Sequence, residues 1–312
     1  MNPPWSMILF TTLAGAAQGL LVALVGVDLA QAAGLVQVPA ALWPAGALLV
    51  LALAGVGLVA ASFHLGRPMR AWRAASMWRT SWLSREAILL PAFMAAVLAW
   101  GAAHWVGAPT VLPGVLAALL ALALYVCTGM IYGAVKAIPE WATPMTPFNY
   151  AVLGLGSGWL LASALAAALA PEIAPPLATM ALAAIVLGAI TRGAVLWRNL
   201  HRVPKTTLQT AIGVRHPRIV QKAQGAMGGS FNTREYFHGR APGFVRGMRW
   251  AAALLGFVLP AAAVAAITAG GSAPAAALGA LFAVQFLGLV AERWSFFAEG
   301  QHTQNLYYRS IS

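Results

Sequence analysis

The sequence predicts an all-α membrane protein, an eight-transmembrane-helix bundle. Hydrophobic residues fill 61% of the 312 positions, whereas soluble domains are about half apolar. The mean hydropathy is +0.77. Eight windows approach the about 20 mostly apolar residues that a span needs, with roughly 17 as the lower limit. They fall near 7–29, 40–63, 87–106, 111–135, 150–169, 177–196, 251–267 and 275–291. No stretch alternates with period two, as the segments of a transmembrane barrel must.

Each window is bounded by turn chemistry. Gln-Val-Pro at 37–39, Gly-Ala-Pro at 107–109, Pro-Met-Thr-Pro at 144–147, the proline-flanked 171–176 and the Gly-Gly-Ser-Ala-Pro run at 270–274 separate consecutive spans. The first window lacks the charged, apolar and A-x-A regions of a signal followed by a soluble domain, so it is expected to stay as a span. Length alone would allow two soluble domains, but the apolar excess makes 1–312 one polytopic membrane domain. The single Cys127 leaves no disulfide framework and no cysteine-ligated cluster within the chain.

Charge is rare and lies on one side. Only 8% of residues are charged, yet the formal net charge is +12. Eight spans place successive loops alternately on two faces. All 19 Lys and Arg fall on the face of the N-terminus, the 64–86, 136–149 and 197–250 segments and the C-terminus, or at the adjoining helix ends. The opposite face holds only Asp28, His104 and Glu172. The positive-inside rule then orients the bundle N-in and C-in in a bacterial inner membrane. The basic charge is a topology signal plus a docking surface, and nucleic acid is not an expected partner. The polar 197–250 segment is too short to bury a core of its own. It is expected to be a cytoplasmic docking loop, with a helical pattern near 206–224 and a Gly-rich turn at 225–229.

The densest cluster is 63–86, FHLGRPMRAWRAASMWRTSWLSRE, with five arginines, one histidine and one glutamate between two apolar runs. Ionisable groups held at a membrane edge are a functional expectation by default. His64 closes the second window, where a helix C-terminus would also suit it; Glu86 opens the third, where a carboxylate suits the N-terminus. The two lie at adjacent helix ends on the same face, and a hairpin of this kind can bring them close enough to share a ligand. A quinone headgroup carries two carbonyl oxygens, and its reduction consumes two electrons and two protons. It calls for donors on the carbonyls, a titratable group and aromatic walls. His64, Arg67, Arg70, Glu86, Trp72, Trp78 and Trp82 supply all three kinds. Several of the arginines need only set topology and touch phospholipid. Lys136, Glu140–Trp141, Arg192 and Glu292–Arg293 are expected on the same face, the last either as an interfacial pair or as the pocket's outer wall.

Two other classes fit less well. A transmembrane bis-histidine haem needs two histidines at one depth. His64 and His104 lie at opposite edges, and His201, His216, His238 and His302 lie in loops or the tail, so no haem is expected in this chain. A small-solute or ion transporter would place ionisable groups near the midplane, where Gln18 and Gln285, with Tyr125 and Tyr132, are the main polar residues.

The run His-Leu-Gly-x-Pro-x-Arg-Ala at 64–71 and Ser-x-Glu at 84–86, in an eight-helix chain, resemble the membrane anchor subunits of the dimethyl sulfoxide reductase family. The likeness spans the chain in topology and is specific in 63–86. It implies an anchor without haem that exchanges electrons with quinone (ubiquinone or menaquinone). It also implies partners: a molybdopterin catalytic subunit and an iron–sulfur subunit that carry their own cofactors. The family's quinol-site histidine and glutamate would be His64 and Glu86. Segments 227–235 and 301–308 are most similar to the anchors of membrane-bound, cytoplasmic sulfite dehydrogenases. That implies electrons passing from sulfite to quinone; the alternative is quinol oxidation for a terminal reductase.

Overall fold

The computed structural model describes residues 1–204, 206–220, 236–270 and 274–307, and every regular element among them is helical. Among the described residues, eight helices are long and apolar enough to cross a membrane: α1 Trp5–Ala32, α2 Leu42–Ser62, α3 Trp82–Val106, α4 Val111–Gly133, α5 Met145–Leu169, α6 Ala174–His201, α7 Pro242–Ala269 and α8 Ala275–Glu299. At about 1.5 Å per residue, even the shortest covers the hydrocarbon core of about 30 Å.

Local chemistry sets the helix ends. Ser81 caps α3, its hydroxyl accepting from the Ser84 backbone N–H at 3.3 Å, so the helix starts five residues before the apolar window. Gly107, at φ 68°, ends it in the left-handed conformation that glycine adopts freely. In α7, Pro260 cannot donate to the preceding turn, and Leu254–Val258 widens into a π turn in which the Leu259 N–H reaches the Leu254 carbonyl. Charged ends extend the helices well past the lipid-facing windows: α6 runs on to His201 and α8 to Glu299.

Two central helices organise the bundle. The most apolar window of α1 is 83% buried and that of α5 is 61% buried, against 28% for α2 and α3. They cross where Gly15 and Gly19 of α1 meet Gly154 and Gly158 of α5, two small-residue pairs spaced four apart that let backbones touch. One apolar core joins α1 to α2, α3 and α4; another joins α5 to α6, α7 and α8. A third, built from Ile8, Tyr132, Ile138, Trp141, Tyr150, Trp294, Phe296 and Phe297, closes the end that carries the long loops.

The opposite end is pinned by Asp28. Its carboxylate accepts from Trp100 Nε1 at 2.8 Å and Thr110 Oγ1 at 3.1 Å, and lies 3.2 Å from His104 Nε2. The His104 ring stacks on Trp43 at 4.4 Å, so α1, α2, α3 and the start of α4 share one knot. Asp28→Ala strands the buried Trp100 donor and the half-buried Thr110 donor, on two elements, and is expected to cost about 2–4 kcal/mol of stability. Thermal unfolding in detergent checks this; an unchanged melting temperature would refute it.

The polar segment after α6 is shorter than its sequence suggested, because both flanking helices extend into it. Its described part holds one helical turn, Leu208–Ile212, opened by a reciprocal Thr207–Thr210 cap and closed by Gly213 at φ 73°. The Gly-rich turn at 225–229 and the segment 227–235 lie outside the described residues. The stretch after α8 packs back on this face: Gln301 N–H donates to Glu140 at 3.1 Å and Thr303 N–H to the Ala137 carbonyl at 3.3 Å.

Candidate functional site

The hairpin of α2 and α3 carries the cluster that stands out in the sequence. Between them Pro68–Met77 winds as a 3-10 segment, packed along α3 and exposed along most of its length. His64, Arg67, Arg70, Trp72 and Trp78 are all exposed. So are Phe63, Met69 and Met77, giving an apolar, aromatic and cationic edge. That mixture suits an interface between water and an apolar phase.

Arg85 is already engaged in structure. Its Nε donates to the Trp78 carbonyl at 3.0 Å and its Nη2 to the Arg79 carbonyl at 2.8 Å. Its guanidinium also lies 4.2 Å from the centroid of half-buried Trp82. It ties the loop to the start of α3 and holds Trp82 in place. Arg73 and Arg79 lie over the neighbouring Trp72 and Trp78 rings.

Glu86 is the one ionisable member that is buried, at 5% exposure, one turn into α3. Its Oε1 accepts a hydrogen bond from Thr128 Oγ1 of α4. Tyr125, Thr128 and Tyr132 follow one stripe of α4 at helical spacing, and Thr128 is the hydroxyl that reaches the carboxylate. The structure thus separates the members by access: a buried acid in the first turns of α3, and exposed imidazole and guanidinium donors in the segment between α2 and α3. A carboxylate held by a single hydroxyl can take and give a proton, and His64, Arg67 and Arg70 can donate to carbonyl oxygen.

A second charged cluster lies between α6 and α8. Arg192 Nε pairs with Glu292 Oε1 at 2.8 Å and its Nη2 with Glu299 Oε2 at 3.0 Å, all three buried or nearly so. Arg249 of α7 reaches Glu299 at 3.3 Å, and Arg293 lies 3.7 Å over the Tyr150 ring and 3.5 Å from Glu292. Glu292 and Arg293 therefore belong to a buried network rather than to an exposed interfacial pair. Arg192 lies more than two turns inside α6, because that helix continues to His201.

A cleft of about 1150 Å³ opens on the long-loop face, where Lys136, Arg198, Arg202 and Arg240 contribute to its lining. Arg202 pairs with Glu140, while Arg198 holds the Pro139 carbonyl at 3.1 Å. His238 adds little charge at neutral pH: burial, then the Met1 amino group and Arg240, hold its imidazole below the ordinary value.

A family model described as the DMSO reductase anchor subunit matches residues 1–220. The chain belongs to the dimethyl sulfoxide reductase anchor-subunit family. A sulfite dehydrogenase subunit of Allochromatium vinosum is 47% identical over 327 aligned positions, which cover 100% of both chains. Like other members of the anchor family, the chain is a multi-pass membrane subunit. The matched region includes the whole of the α2–α3 hairpin and its partner α4.

Proposed function

We propose that this chain is the quinone-reactive anchor of a molybdopterin and iron–sulfur oxidoreductase, passing electrons from sulfite oxidation to the quinone pool. The observation that carries the reading is the pairing, at adjacent helix ends on one face, of a buried carboxylate, Glu86, with exposed donors, His64, Arg67 and Arg70. The donor set fits a headgroup whose recognisable atoms are two carbonyl acceptors. His64 would hydrogen-bond one carbonyl, Arg67 or Arg70 would polarise it, and Glu86 would relay protons. Trp78 and Trp82 would wall the ring. Ubiquinone and menaquinone present the same two oxygens to these groups. The likeness to a sulfite dehydrogenase subunit favours electrons entering the quinone pool over quinol oxidation.

The orientation follows from charge. The face bearing His64, the basic cleft and the arginine-rich loops is assigned to the cytoplasm of a bacterial inner membrane, N-in and C-in. The iron–sulfur subunit, with the molybdopterin subunit beyond it, would dock there, over the cleft and the 197–250 segment. His64→Ala is expected to lower quinone reduction at least about 100-fold while the complex still reduces a soluble dye acceptor. Steady-state assays with both acceptors test this, and unchanged quinone kinetics would refute the assignment of His64.

A further inference from the structure

The groove between α6, α7 and α8 encloses about 200 Å³ in the other half of the bundle from His64 and Glu86. It opens outward between α6 and α7, where Gly193 and Val258 line it and are both exposed. These two helices run antiparallel, and their side chains fall at matching levels. Trp197 and Trp250 are exposed, at 66% and 61%, and Arg249 adjoins Trp250 in the chain. Exposed tryptophans of this kind mark the level where headgroups meet hydrocarbon. One turn deeper stand Gly193 and Ala253, and two turns deeper Ala189 and Phe257, all lining the groove. Leu254 and Val258 are exposed and continue the apolar wall outward.

Charge decides what the rim can hold. At the inner wall, Arg192, Arg249 and Arg293 meet only two carboxylates, Glu292 and Glu299. One positive charge is left over. Arg192 is spent on both acids, and Arg293 is buried over the Tyr150 ring, so neither presents that charge outward. Arg249 does. Its side chain is 46% exposed, and its Nε lies 3.3 Å from Glu299 Oε1 without hydrogen-bonding geometry. Among the described residues nothing is hydrogen-bonded to its Nη groups, which can meet a phosphate through parallel N–H donors.

A rim cation above an apolar groove calls for an anionic headgroup that carries a hydrocarbon chain. A neutral quinone ring would leave the surplus charge uncompensated. A zwitterion would bring an ammonium to a cluster that is already positive. The volume is below the about 300–1000 Å³ of a pocket that engulfs a drug-sized ligand, and it suits one acyl chain laid along the helices.

We infer that this groove binds an anionic glycerophospholipid, its phosphate on Arg249 and one acyl chain along Gly193, Ala253 and Phe257. The bound lipid braces α7 against α6. The test uses the full chain reconstituted with equal phosphatidylglycerol, phosphatidylethanolamine and phosphatidylcholine, stripped with mild detergent and analysed by native mass spectrometry. Phosphatidylglycerol should be retained about tenfold more strongly than either zwitterion, because their ammonium would sit beside an uncompensated guanidinium. Arg249→Gln should erase that preference. Arg246→Gln, exposed on α7 but outside the groove, should keep it within about twofold. Gly193→Leu should lower phosphatidylglycerol retention by filling the groove, and the helix accepts it because a Cβ at Gly193 meets nothing within 4 Å. Three results would each overturn the inference: equal retention of the three lipids, a preference that survives Arg249→Gln or is lost equally in Arg246→Gln, or undiminished retention in a folded Gly193→Leu chain.

Discussion

Glu86→Gln is expected to leave the bundle folded and to lower quinone turnover about 10²–10⁴-fold, the usual contribution of a positioned acid–base group. The substitution is nearly isosteric, and its carbonyl oxygen can still accept from Thr128. What it removes is the exchangeable proton. Loss should therefore appear in kcat with the soluble-acceptor rate unchanged, because electrons leaving through a dye need no proton at this position. Glu86→Asp keeps the acid but retracts it from α4, and should fall between the two. Thermal unfolding separates chemistry from packing: Gln should melt within a few degrees of the native chain. Full quinone turnover in Glu86→Gln would remove the carboxylate from the mechanism and leave it as a helix-pairing group.

The eight helices are legible because a bilayer imposes a length and a polarity that few soluble elements share. Their ends are less so. Hydropathy windows register contact with lipid, whereas α8 carries Glu292 and Glu299 inside the helix by pairing them with Arg192 and Arg249, and Arg293 by setting it beside Glu292. Nothing in a one-dimensional profile says that those charges meet. The spacing of Glu292 and Glu299, two turns apart on one face, is the only hint of a shared partner. In the candidate site, His64 and Glu86 stand out because ionisable groups are scarce in this chain. Thr128 does not, since a hydroxyl inside a transmembrane helix ordinarily bonds its own backbone, as Thr12 and Ser163 do. Arg85 shows the converse: prominent in sequence, it is spent on the carbonyls of Trp78 and Arg79. The segment 227–235, one of the two that resemble sulfite dehydrogenase anchors, lies outside the described residues, so its docking role rests on sequence.

Gly158→Ala is expected to be among the most damaging small substitutions at the described positions. A Cβ at this position would lie 2.2 Å from the Leu20 nitrogen and 2.3 Å from the Gly19 carbonyl carbon. Both are backbone atoms of α1, so no side chain can rotate away and the two helices must part. Overpacking of this kind costs about 1–3 kcal/mol where the surroundings can shift. Here the surroundings are the two most buried helices, which contact both halves of the bundle, so the cost should lie at or above that range. A displaced α5 would also reach the candidate site, because Gly129 of α4 abuts Pro147 of α5 one residue from Thr128. Gly55→Ala on α2 is the control: a Cβ there meets nothing within 4 Å, and alanine favours a helix by up to about 1 kcal/mol. Membrane accumulation and melting temperature in detergent should fall sharply for Gly158→Ala and hold or rise for Gly55→Ala. Equal behaviour of the two would mean that the α1–α5 crossing does not hold the bundle together.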